Sequence, residues 1–423
     1  PKIIEQALAD VGVTVQLIVR HNTLHEIAAH EISLVPYTTR LSADLDENGV
    51  MRPACWNDEP SIDEHVKSRL ERWRIAREHG VFVYSLGDET VTRGSCVHPA
   101  CLAAYRRYLE TKYETIDALN ASWGTDFAGF GDVQLSTPTD NDEEVAKAQK
   151  NYPRWYDRRA FQNYNFAQLC KRFGQAYQAI DPEARTGFEG AGRFETGDDF
   201  DLIVRTNGFW SPYSGPGDEV IRSIAPPGFT RSYWMGYSKG TDSVLANYWR
   251  MITRGCDSVW WWMWQNVGEW NGLLMPTLSP FPAIRELTKD TQIVRDGLGT
   301  LLIHSQMLDD GIALLYSMPS AYAVSLEAGP LYGSYSASHQ TWSRLIRELG
   351  LQYRYVTARM LRRGEFNSEK YKVLVLARSE ALGPAEADVI RRFAQDGGTV
   401  IADLRPGIYD HHCKPMPPGG GML

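Results

Sequence analysis

The residues best suited to chemistry in this 423-residue chain are the acidic pair Asp88–Glu89 and the run Cys96-x-His98-x-x-Cys101. The pair follows Val81–Leu86, an apolar run too short for a helix and read as a buried strand. A carboxylate leaving a buried strand can be a general acid if burial raises its proton affinity, or simply a salt-bridge partner. Glycoside hydrolysis needs two carboxyls across a sugar, ~5 Å apart for retention and ~6.5–9.5 Å for inversion. The second carboxyl must then lie at another strand end, and Glu189, Glu195 and Glu269 are the candidates. Two thiols and an imidazole at close spacing read as metal ligands, and a tetrahedral structural zinc needs four. Cys55, in Arg52-Pro-Ala-Cys-Trp-Asn57, is the available fourth. The plain alternative is unrelated buried thiols beside a surface histidine.

Aromatic residues are the other chemical signal. The chain has 13 Trp and 21 Tyr, rings that stack on sugars but also fill cores. Val259-Trp-Trp-Trp-Met-Trp264 alternates along a strand, so Trp260, Trp262 and Trp264 share one face. Trp260 and Trp262 read as core filler. Trp264, at the carboxyl end, is the expected sugar platform, and Trp210, Trp234 and Trp270 also lie near strand ends.

These groups need a frame. Strands are expected at 13–19, 81–86, 185–188, 208–213, 230–237 and 258–264, with a further short one at 32–37. Ser61-Ile-Asp-Glu64 reads as a capping box that opens a helix to Glu78. Phe166, Leu169, Phe173, Tyr177 and Ile180 recur at helical spacing within 156–180. Strand–helix alternation argues for a parallel α/β barrel. From about residue 306 the rhythm becomes compact and doubly wound, with a helix at His339–Leu349 and a strand at Val373–Leu376. That part carries no nucleotide-binding glycine motif and no nucleophile turn, so it reads as structural. The net charge of −8 argues against a nucleic-acid partner. No apolar run reaches the ~18 residues of a membrane span. The chain opens mid-helix and stops at Gly-Gly-Gly-Met-Leu423, so continuations at both ends are expected, and a cytoplasmic setting is favoured.

Together these motifs resemble glycoside hydrolase family 42, the trimeric β-galactosidases. The family has a strand ending in Asn-Glu, where this chain has Asp88-Glu89. It continues with Cys-x-Cys-x-x-Cys, where His98 replaces the middle cysteine, and with a segment similar to Tyr113–Thr125. Its earlier cysteine precedes Pro-Asn-Ser-Pro; here Cys55 precedes Trp-Asn-Asp-Glu-Pro60. Trp264–Glu269 is similar to the end of its last barrel strand.

The resemblance implies an α/β fold. A (β/α)8 TIM barrel over 1–305, with six strands in register and two N-terminal ones missing, precedes a flavodoxin-like, amidotransferase-like trimerisation domain over 306–423. It implies Glu89 as acid/base, Asp88, Trp234, Trp264 and Glu269 as sugar-binding residues, and zinc on Cys55, Cys96, His98 and Cys101. The partners implied are a saccharide and two further copies of the chain. One departure bears on mechanism. The family nucleophile is a Glu ending the seventh strand, and the matching Arg231–Tyr237 has Gly236 in its place. Glu189 or Glu269 then supplies the nucleophile, or the mechanism inverts, or the barrel binds sugar without cleaving it.

Overall fold

The structure, a computed structural model, describes residues 2–20, 24–41, 44–90, 96–135, 142–194, 197–237, 240–265, 272–327 and 333–423. Glu195, Glu269 and Trp270 lie outside the described residues.

Strand β1 (Val15–Ile18) pairs in parallel with β2 (Ser33–Pro36). A five-stranded parallel sheet follows in chain order: β3 (Tyr84–Asp88), β4 (Thr186–Glu189), β5 (Phe209–Ser211), β6 (Thr230–Met235) and β7 (Ser258–Trp261). Single bridges at Leu34–Val81 and Tyr37–Ser85 link β2 to β3. Seven parallel strands therefore run side by side among the described residues, where six were counted from sequence. The seventh is β2, the short strand expected at 32–37. The first acidic residue also sits differently from expectation: β3 runs to Asp88 rather than ending at Leu86.

Alternation decides what each strand face meets. Tyr84, Phe188 and Trp210 point to the helices. Tyr84 stacks on Tyr177 at 4.5 Å and Phe188 meets Phe166 at 5.6 Å, both partners on the long helix Pro153–Gln178. The opposite face gathers Val35, Phe209 and Trp260 from three strands and Val83 from just before β3, with Val15, Leu17 and Trp234 packed against them. Phe209 and Trp260 stack at 5.2 Å. Burying each such side chain stabilises by about 1.5–3 kcal/mol, so this apolar cluster helps hold the strands together. The N-terminal helix Lys2–Asp10 adds Leu8 to a separate cluster with Ile284 and Leu287 of the helix Pro282–Ile293. The predicted capping box does not open its helix. That helix spans Glu59–Trp73, with Asp58 as N-cap and Pro60 in the first turn, and the Ser61 hydroxyl donates to Asp58.

A second parallel sheet is ordered β11 (Thr399–Ala402), β10 (Val373–Leu376), β8 (Ile312–Tyr316), β9 (Tyr353–Thr357). Its helix Tyr335–Glu348 starts four residues before the expected His339, because the Ser334 side chain caps it. The two sheets share packing. Phe194 stacks on Tyr316 at 5.1 Å, the Tyr316 hydroxyl donates to the Asp198 carbonyl at 3.0 Å, and Arg359 pairs with Asp199 and Asp201. Among the described residues no helix is long and apolar enough to cross a membrane.

Candidate functional site

The site forms where β3, β4 and β5 end. Tyr84 and Ser85 of β3 pair with Thr186 and Gly187 of β4, but Asp88 pairs with Glu189, so β3 carries one extra residue. Such a bulge re-aims side chains and is common beside active sites. Gly87 occupies it at φ 134°, and a Cβ there would lie 2.9 Å from the Arg40 backbone. The slip brings Asp88 to the level of Glu189. It delivers Glu89, exposed and with φ 47°, to the rim. The Glu89 N–H donates to the Glu189 carbonyl at 2.9 Å, and the Asp88 N–H donates to the Tyr37 hydroxyl at 3.1 Å.

The three carboxyls sit in different surroundings. Glu89 accepts a 2.6 Å hydrogen bond at Oε1 from the Tyr213 hydroxyl. Asp88 is half-buried, and burial followed by the Glu89 charge raises its pKa, with Arg40 opposing. Glu189 has no exposed surface. Burial pushes its pKa up to about 8, against a 2.8 Å hydrogen bond from Ser85 to Oε2, and the Asp88 charge adds to the rise. Its Oε1 has no hydrogen-bond partner among the described residues; nor have the buried Ser211 hydroxyl and the Trp234 indole N–H. Burial thus favours the protonated form of Glu189 at the inner end of the site.

Gly236, just past β6, occupies the position where the resemblance places an acid. Its φ is 101°, and a Cβ would stand 2.1 Å from the Trp262 carbonyl oxygen. No side chain fits there while the chain after β7 keeps its course.

The tryptophans divide otherwise than expected. Trp260 is buried filler, as read from sequence. Trp262, also expected in the core, is 43% exposed and lies 6.4 Å from the Trp234 ring. Trp264 was expected on its face, but β7 stops at Trp261. Trp264 instead packs, partly buried, on the cluster containing Leu273 and Leu274, and its carbonyl accepts from the Leu274 N–H. The ring offered to solvent is Trp262.

The cysteines converge. Ligand atoms of Cys55, Cys96 and Cys101 all lie within 4.8 Å of one another, and all three residues are buried. Asn57 Nδ2 and the Cys96 N–H each donate to Cys101 Sγ at 3.4 Å. The Cys101 and Cys55 thiols hold the Cys96 thiol well below its ordinary pKa. A soft, thiol-only donor set of this compactness suits a zinc ion. His98 is not brought into the group. Its Nδ1 accepts from the Ala100 N–H at 3.2 Å and caps the helix Pro99–Tyr113. Helix-capping geometry thus overrides the ligand spacing read from sequence.

Residues 49–185 match a family model described as Beta-galactosidase. The resemblance to glycoside hydrolase family 42 holds. "Beta-galactosidase BgaB" of Geobacillus sp. (strain Y412MC61) is 21% identical over 431 residues, covering 88% of this chain and 59% of its own length. The chain thus spans 59% of the length of this curated relative. The solved β-galactosidase of Rahnella sp. R3 superposes with TM-score 0.78 at 14% identity over 98% of this chain and 70% of that one. The enzyme from Halorubrum lacusprofundi gives 0.76 at 17%, over 98% and 72%. These likenesses establish the α/β fold with parallel sheets. Sequence reasoning missed Tyr213, whose hydroxyl donates to Glu89 at this rim. The available signal was a phenol two residues past a strand end, on the same rim as Glu89.

The buried Glu189 couples stability to pH. Its unfolded carboxyl loses its proton near ~4.3, whereas the folded one keeps it to about 8. Folding takes up a proton between those values, so this contribution is whole below the lower value and fades as pH rises through the upper one. Urea midpoints of the wild type should fall across this window, and those of Glu189→Gln should fall less. Parallel curves would show that Glu189 ionises normally.

Proposed function

We propose that the chain is a glycoside hydrolase acting on β-galactosides or related saccharides, with a (β/α)8-type barrel over residues 1–305 and Glu89 as general acid/base. The observation that carries this reading is the delivery of Glu89 to the carboxyl rim of parallel strands by the β3 bulge, exposed and with one oxygen held by Tyr213. That rim is where parallel α/β enzymes keep catalytic groups. The names of the relatives support the substrate class. In this reading Glu89 protonates the leaving oxygen, Asp88 orients Glu89 or sugar, and Trp262 and Trp234 offer apolar ring surface. The second carboxylate is Glu189 or Glu269. The Gly236 geometry favours one rival, a barrel that binds saccharide without cleaving it.

Turnover of aryl and alkyl glycosides by Glu89→Gln, Glu189→Gln and Glu269→Gln separates these. Glu89→Gln should lose about 10²–10⁴-fold on alkyl leaving groups and much less on activated aryl ones. The other variant that loses activity on every substrate names the second carboxylate. Saccharide binding without turnover in any form would leave the binding barrel as the function.

We also propose that Cys55, Cys96 and Cys101 supply three of the four ligands of a structural zinc. The ion would tie the loop before the helix Glu59–Trp73 to the helix Pro99–Tyr113, supplying cross-linking rather than chemistry. Elemental analysis should find about one zinc per chain, with Cys96→Ser lowering both metal content and melting temperature. Metal-free protein that melts like wild type would reject the ion.

Residues 306–423 are proposed as an assembly domain joining three copies. Sedimentation equilibrium should report trimers, and a concentration-independent monomer would count against the proposal.

A further inference from the structure

Glu89 does not stand alone at the rim. Tyr213 reaches it from β5, across the whole width of β4. That reach is built rather than incidental. The chain leaving β4 turns through three left-handed residues, Gly190 (φ 67°), Ala191 (φ 53°) and Gly192 (φ 74°). For alanine this conformation is costly and persists only when the surroundings enforce it. Two backbone bonds stitch this turn to the segment after β5. The Gly190 N–H donates to the Ser211 carbonyl at 2.8 Å, and the Tyr213 N–H donates to the Ala191 carbonyl at 3.1 Å. A Cβ on Gly192 would meet Pro212 Cβ at 2.7 Å, so glycine is needed for that approach. The Gly192 N–H is itself anchored on Asp198 Oδ2 at 3.2 Å. The Arg193 guanidinium then lies over the Tyr213 ring at 4.9 Å, and Tyr237 meets that ring edge-on at 6.4 Å. Backbone and ring of Tyr213 are both held, and its hydroxyl ends on one oxygen of Glu89.

We propose that Tyr213 is the positioning residue of Glu89, fixing Oε1 so that Oε2 faces the glycosidic oxygen. This rests on the reading of Glu89 as general acid. In that step the proton on Oε2 moves to the glycosidic oxygen as the bond to the anomeric carbon breaks, and the bonding pair stays on the departing oxygen. The carboxylate left behind gathers negative charge, and the phenol O–H already points at it. The Tyr213 bond is therefore stronger in the transition state than in the ground state, which is the condition for it to accelerate the step. The phenol keeps its own proton throughout.

The test uses the 423-residue chain as wild type, Tyr213→Phe, Glu89→Gln and the double variant, on β-galactosides graded from dinitrophenyl to alkyl leaving groups. Tyr213→Phe should lose about tenfold or more in kcat/KM on alkyl substrates and stay within about twofold on dinitrophenyl ones. Its melting temperature should match wild type. In the Glu89→Gln background the same change should cost nothing further, because Tyr213 acts through Glu89. An equal loss along the series, no loss, or an undiminished loss in the double variant overturns the positioning role. A graded response in Glu89→Gln with a flat one in Tyr213→Phe removes only this inference. A flat response in Glu89→Gln, or no turnover at all, removes the acid reading and this inference with it.

Discussion

The extra residue in β3 is the constraint on which the site depends. Without the slip between Ser85 and Asp88, the side chains beyond it would swap faces. Asp88 would leave the level of Glu189, and Glu89 would no longer follow at the rim. The slip is held from several sides. Gly87 fits against the Arg40 backbone, Ser85 donates to Glu189, and the Glu89 N–H closes on the Glu189 carbonyl. Glu189 therefore contributes as architecture whatever else it does. Its burial disfavours a charge that would repel Asp88 and Glu89.

The turn after β4 links this rim to the second sheet. Three residues beyond Ala191, Phe194 packs on Tyr316, Tyr335 and His339. Asp198 and Asp199 follow, the first accepting from Tyr316 and the second paired with Arg359. One short segment thus meets Tyr213 at one end and the core of the second sheet at the other. The core is continuous across the two sheets, and Phe194 and Phe200 lie in that continuity.

Much of this was legible in the sequence because it follows from periodicity and from local spacing. Strand–helix alternation yielded the parallel sheets, and the 81–101 stretch pointed to both the acid rim and the thiol cluster. What stayed hidden was set by tertiary contact. The bulge is a mismatch between two strands a hundred residues apart, and neither strand records it alone. His98 has ligand spacing, but a following proline and a helix start offer its ring a nearer partner, the Ala100 N–H. Trp264 obeys alternation only if the strand continues, and β7 stops at Trp261. β2 was legible as a short strand at 32–37, but its place beside β1 and β3 is set by pairing that no local pattern records.

Gly236 makes one change in this scaffold a one-way step. In a strand-end position open to a side chain, a lost carboxylate could be regained by a single substitution. Here the Trp262 carbonyl occupies the space that any side chain would need. The backbone after β7 would have to retreat before an acid at 236 could be tolerated, and it has no cause to retreat while 236 is glycine. Lineage and engineer face the same order of events: loop first, side chain second.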